Sequence, residues 1–175
     1  MFCTMDSGQI IIPKEIDYSE SCLRCIASPL QYDKKRGRFR INAILPPPNR
    51  DRNDVSLSRE SYVTSFETIV DRGKSIKMGD SEFYGIASFT RADVKIVNEE
   101  HKDSVVNADI VYAPMHGDSY VSPEIDVYVN DPNVDKPDHA ELRYSVPYNK
   151  TDILNTPFRE YANSLIKRLT MVYTT

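Results

Sequence analysis

The feature that most constrains the fold is a series of short apolar runs, each separated from the next by a polar loop. Phe83 to Phe89 carries no charged side chain, which indicates a strand buried on both faces. Further extended runs are predicted at Phe39 to Leu45, Lys95 to Val97, Ala108 to Tyr112, Ile125 to Val129 and Ala140 to Tyr144. Runs of this length and spacing are typical of a meander, so we expect a mainly antiparallel sheet.

Two principal helices are predicted to pack on that sheet. Ser58 can cap the first, which then runs from Arg59 to a stop at Gly73 with its apolar residues on one face. Thr156 and Pro157 provide a cap and a first-turn proline for the second, which continues to about Leu169. Thr90 to Asp93 is predicted to be a polar turn. This order of strands and helices predicts an α+β fold.

A chain of 175 residues favours a single domain. We expect residues 1–25 to form an N-terminal arm or edge segment and residues 26–175 to form one α+β domain. No apolar run approaches the roughly 18 residues of a membrane span, and the first residues lack the pattern of a signal peptide. Three cysteines cannot all pair within one chain, and cytosolic proteins normally keep their thiols reduced. We therefore expect a cytoplasmic location and no contact with a membrane.

The distribution of charge is more informative than the net charge of −4. The segment from Asp93 to Arg143 holds twelve acids and four bases, so it carries −8 and the rest of the chain carries +4. The densest basic run, Lys34 to Arg40, has five bases in seven residues. Its Arg38 and Arg40 can contact the phosphates of a nucleic acid, although a solvated edge strand that resists aggregation explains the run as well.

Five tyrosines lie in or just beyond the acidic segment: Tyr112, Tyr120, Tyr128, Tyr144 and Tyr148. Tyrosine supplies a large contact area at low entropic cost. An acidic, tyrosine-rich surface predicts that the partner is another protein with a basic surface.

The segment from His139 to Tyr144 holds the candidate catalytic residues. On a strand, the two-residue alternation places His139, Glu141 and Arg143 on one face. A histidine beside a carboxylate and a guanidinium can perform general acid/base catalysis or bind an anion. A solvated sheet face with ion pairs is the alternative.

Two further motifs are incomplete. Cys22 and Cys25 have the spacing of a zinc or redox pair, but no second pair of ligands has a comparable spacing, so reduced packing cysteines are expected and a metal site is the weaker alternative. Gly73-Lys74-Ser75 resembles the end of a phosphate-binding loop, but Thr68 occupies the position of the required earlier glycine. No cofactor is expected.

The succession Asp54 to Arg59, Phe83 to Ala87 and His139 to Glu141 resembles the pattern of small bacterial proteins, some of which accompany mobile or defence genes. The resemblance implies a bacterial accessory protein and transfers no catalytic residue. The first hypothesis is therefore a non-catalytic macromolecular-interaction module, such as an antitoxin-like or immunity-like subunit of a conflict system. Its candidate binding residues are Arg38, Arg40, Arg59, His139, Glu141 and Arg143.

The alternative is a small phosphate-handling hydrolase or nuclease. It would use His139 and Glu141 together with Arg143 and other nearby arginines. A concave pocket lined by His139 and Glu141 would favour this enzyme over the interaction module.

Overall fold

The computed structural model describes residues 10–46, 53–76, 79–148 and 155–175, and its centre is a six-stranded antiparallel sheet. The strands are β1 (Ser21–Ser28), β2 (Tyr32–Asp33), β3 (Arg38–Phe39), β4 (Asp54–Arg59), β5 (Glu82–Thr90), β6 (Ala108–Tyr112), β7 (Met115–His116), β8 (Ser119–Tyr120), β9 (His139–Tyr144) and β10 (Thr170–Thr174). The central sheet has the order β10-β5-β1-β4-β9-β6, while β2 pairs with β3 and β7 with β8. The predicted α+β class with a mainly antiparallel sheet is confirmed.

The described residues form three α-helices: α1 (Phe66–Ser75), α2 (Arg91–Glu100) and α3 (Asn155–Leu165). The predictions of a turn at Thr90 to Asp93 and of an extended run at Lys95 to Val97 are wrong, because both lie at or in α2. The Thr90 hydroxyl accepts from the backbone N–H of Asp93, whose carboxylate accepts from the backbone N–H of Thr90. This capping box starts the helix.

The two faces of the sheet are covered differently. One face, hereafter the α3 face, packs against α2 and α3 and carries most of the core, including Ile26, Leu142 and Phe158. On the opposite α1 face, Ile69 of α1 packs on Leu23 and Ile86. The chain between residues 113 and 138 and the N-terminal segment bury a third cluster: Ile12, Tyr62, Val127 and Val134.

The strand predicted from Phe39 to Leu45 is wrong beyond its first residue. The chain leaves β3 at Phe39 and forms a 3-10 turn over Ile41–Ala43. Ala43, Ile44 and Leu45 are then all buried. Three consecutive buried residues do not match the alternation of a half-buried strand, whereas a tight turn can direct them all inward.

The first helix begins later than predicted and ends later. Ser58 and Arg59 belong to β4, which pairs with β1 on one side and β9 on the other and so has its backbone groups satisfied as a strand. The cap is Ser65, whose hydroxyl accepts from the backbone N–H of Thr68 at 3.3 Å. The helix then runs past Gly73 to Ser75.

Further differences concern the two ends of the chain and the acidic segment. Helix α3 begins at Asn155, so Thr156 and Pro157 lie inside the helix and not at its cap, and it ends at Leu165 before the predicted Leu169. A 3-10 turn over Ile166–Arg168 follows α3, and the chain then forms β10, a strand that was not predicted. Ile125 to Val129 is not a strand, although Tyr128 makes an isolated bridge with Ile11. The predicted boundary between residues 25 and 26 falls inside β1, which lies between β5 and β4 in the central sheet.

Candidate functional site

The candidate catalytic residues share one face of β9, as the alternation predicts, while the apolar residues of β9 fill the core on the other. The chain between residues 113 and 138 covers that face, so His139 is 6% exposed and Glu141 is 1% exposed. These two side chains therefore do not lie on an open sheet face. Arg143 does line a cavity, of about 250 Å³, together with Lys14 and Tyr120.

Both buried groups have hydrogen-bond partners. The Nδ1–H of His139 donates to the carbonyl oxygen of Ala113 at 2.6 Å. The Glu141 carboxylate accepts from Nη2 of Arg143 at 2.7 Å and from the hydroxyl of Tyr120. Burial lowers the pKa of His139, so its imidazole is neutral at neutral pH. This geometry supports a packing role for His139 and Glu141, and their catalytic role stays a prediction.

Arg59, a candidate binding residue, is fully buried. Its Nε and Nη2 each donate to the carboxylate of Glu20 at 2.7 Å. The carbonyl oxygens of Pro13 and Glu15 accept from its other N–H groups. The ring of Tyr62 lies 4.5 Å from the guanidinium. Arg59 therefore attaches the segment of residues 13–20 to β4, and its guanidinium forms its hydrogen bonds within the protein.

Cys22 and Cys25 lie on opposite faces of β1, because residues three apart on a strand point in opposite directions. They cannot ligate one metal ion or pair with each other without a break in the strand. Burial raises the pKa of Cys22 to about 12 and also raises that of Cys25, which keeps both thiols protonated. The two residues fit the expected packing role.

The basic run forms a hairpin of β2 and β3 that lies outside the central sheet. Gly37, with a φ of 60°, closes the turn in the left-handed region. The ring of Tyr32 stacks on Tyr84 at 4.9 Å and meets Phe39 edge-on at 5.3 Å. These ring contacts pack the hairpin against the rest of the protein. The basic side chains of the hairpin remain exposed: Lys34, Lys35, Arg36, Arg38 and Arg40.

A groove of about 720 Å³, hereafter the basic groove, separates this hairpin from α3 and the following 3-10 turn. The hairpin contributes Arg36, Arg38 and Arg40 to its lining, and the helical side contributes Arg159 and Lys167. Asp33 is the one carboxylate among the lining residues. A local excess of four positive charges therefore occupies one groove of a chain whose net charge is −4.

The helical side of the groove was not predicted. Arg159, Asn163 and Lys167 recur at four-residue intervals, so they share a helix face beside the buried stripe of Phe158 and Leu165. That spacing was visible in the sequence, but its position opposite the hairpin was not. Arg168 points away from the groove and pairs with Glu100 at 2.7 Å.

Most cations of the groove are not paired with a carboxylate of the described residues. Arg40 pairs with Asp33 at 3.2 Å, whereas Arg38, Arg159 and Lys167 form no ion pair with any carboxylate of the described residues. Partial burial raises the pKa of Asp33, but the backbone N–H of Arg36 and the charges of Arg40 and Arg36 outweigh it, so this pKa lies below its usual value. Asp33 is thus ionised and locally neutralised.

Comparison with known proteins adds no family to this geometry. No protein-family model matches the chain, and no curated protein or solved structure is significantly similar to it. In the part of the chain that the structure describes, no helix is long and apolar enough to cross a membrane. The same residues contain no group of three or more acidic, histidine or cysteine side chains placed to hold a metal ion.

Proposed function

We propose that the protein is a non-catalytic interaction module that binds nucleic acid through the basic groove. The observation that carries the proposal is the meeting of five cations from two distant segments, Arg36 to Arg40 and Arg159 to Lys167, around one groove. Clustered lysines and arginines neutralise the phosphates of a nucleic acid, which then releases the counterions condensed on it. This release supplies most of the affinity.

The other explanation of the basic run, a solvated edge strand, accounts for less of the geometry. The hairpin is not an edge of the six-stranded sheet, and edge protection does not require Arg159 and Lys167 on the facing helix. A groove of this charge also repels a basic protein. Binding of a basic protein to the acidic segment stays a prediction. Of the tyrosines on which that prediction depends, Tyr120 is 52% exposed, whereas Tyr144 and Tyr148 are buried in the core.

The burial of His139 and Glu141 supports binding without turnover. A nucleic-acid-binding subunit of this kind fits the cytoplasmic accessory role in a bacterial defence system that the sequence suggests, and that role is part of the proposal.

The test is the salt dependence of binding to a fluorescent oligonucleotide, followed by anisotropy. Five phosphate contacts predict a slope of log Kobs against log salt of about −3.5 to −4.5. The double variant Arg38→Ala, Arg159→Ala should bind more weakly and have a slope shallower by about 1.4 to 1.8. Both side chains are exposed, so thermal melts should show that the variant folds.

A control for the loss of an exposed cation elsewhere is Lys74→Ala, which removes one charge from α1 on the opposite face of the sheet. It should leave affinity and slope unchanged. The proposal is wrong if the folded wild-type protein binds no oligonucleotide, or if the double variant and the control bind alike.

A further inference from the structure

The basic groove has apolar residues as well as cations in its lining. Phe39, Ile41 and Ile166 are half-buried and pack against the main core, and Leu169, which also lines the groove, is buried. All five cations of the groove are exposed, three on the hairpin side and two on the helical side. The cross-section therefore has an apolar floor between two basic rims.

We infer that the ligand of this groove is a single strand of DNA or RNA, with unpaired bases on the floor and phosphates between the rims; this inference rests on the proposed function. In a duplex the flat faces of the bases are stacked inside the helix, so only the phosphates could use such a groove. An unpaired base can pack on Phe39 and the neighbouring isoleucines. The volume of about 720 Å³ is that of a cleft for small ligands, which is large enough to admit unpaired nucleotides.

The basic surface continues across the hairpin. A second cavity, of about 540 Å³, lies on its other side and shares Asp33, Arg36 and Arg40 with the groove. This cavity adds Lys34 and Lys35 to the cations already named. Lys34 also lies 4.6 Å from the ring of Tyr84, which places its ammonium close to the protein surface. A single strand that leaves the groove over the hairpin therefore meets further positive charge.

The first test compares four probes by anisotropy at one salt concentration: single-stranded DNA, single-stranded RNA, the DNA duplex of the same sequence, and heparin as a polyanion without bases. We expect at least one single strand to bind about tenfold more tightly than the duplex or heparin. The DNA and RNA arms distinguish the two sources of unpaired bases, and tight binding of either supports the inference.

The second test concerns the floor. Phe39→Leu keeps an apolar side chain against Tyr32 but removes the aromatic face, so it should weaken single-strand binding about fivefold or more and leave duplex binding unchanged. The chain contains no tryptophan. Phe39→Trp therefore introduces a single tryptophan, whose fluorescence a stacked base should quench when single strand is added and a duplex should not. This reporter decides the question if Phe39→Leu does not fold.

The outcomes separate the two proposals. Equal affinity for single strand and duplex, with no fluorescence quenching in Phe39→Trp and no effect of Phe39→Leu, overturns the single-strand inference. If Arg38→Ala, Arg159→Ala still weakens that binding, the proposed function stands. Failure of the folded protein to bind any of the nucleic acids overturns both.

Discussion

The ion pair between Glu20 and Arg59 allows a direct test of how burial sets the stability of this fold. The Glu20 side chain is 8% exposed and that of Arg59 is fully enclosed, and two hydrogen bonds of 2.7 Å join them. Glu20→Gln removes the negative charge but keeps the shape of the side chain. The Arg59 guanidinium then remains buried without a counter-charge, which typically costs about 3–5 kcal/mol of unfolding free energy.

The chain provides a matched control. Glu100 pairs with Arg168 at the same distance of 2.7 Å, but its side chain is 45% exposed. Water can solvate the Arg168 guanidinium after Glu100→Gln, so that substitution should cost less than about 1 kcal/mol. For a chain of this length, the melting temperature should fall by about 6–20 °C for Glu20→Gln and by less than about 4 °C for Glu100→Gln.

The assay is urea unfolding followed by far-ultraviolet circular dichroism, with calorimetry for the melting temperatures. A change in the urea midpoint at constant slope would identify a change in stability rather than in the unfolded state. Hydrogen exchange adds a local measurement, because the Ile12 amide, next to the segment that Arg59 attaches, donates to Val127 at 2.9 Å. Equal losses for the two variants would refute the reasoning, since burial is what distinguishes the pairs.

Three further outcomes follow from the packing. Leu165→Ala should lower the unfolding free energy by about 2–5 kcal/mol, because Leu165 is fully buried on the sheet; an unchanged melting curve would contradict this contact. Gly85→Ala should cost up to about 3 kcal/mol, because a Cβ there collides with the backbone carbonyl oxygen of Tyr173 in β10, and near-wild-type stability would show that β10 does not pair so closely. Burial lowers the pKa of His139 below 6.5, so the unfolded chain binds the proton more readily and stability should fall as the pH drops below about 6.5. His139→Gln should flatten that part of the stability curve, and an unchanged pH dependence would mean that the ring is not buried in its neutral form.

The sequence by itself determined the elements whose side chains repeat at a regular interval. The uncharged run of β5 and the alternation of β9 form as predicted, because the period of the side chains selects strand or helix locally. The apolar stripe of α3 also forms a helix, although its two ends differ from the prediction. The pattern failed where a polar residue interrupts a buried strand. Arg24 lies in the middle of β1, with its guanidinium bonded to the carbonyl oxygens of Ala43 and Ser56, and β1 was not predicted as a strand.

The tertiary structure alone decided what each polar group does. Alternation places His139 and Glu141 on one face of β9, but the long-range packing of residues 113–138 decides that this face is covered. Glu20 lies 39 residues from Arg59, and the fold decides that the two charges meet in the interior. The basic run was visible as local charge, whereas its meeting with Arg159 and Lys167 depends on how α3 packs. Periodicity is a property of neighbouring residues, but burial and charge pairing are properties of segments that folding brings together.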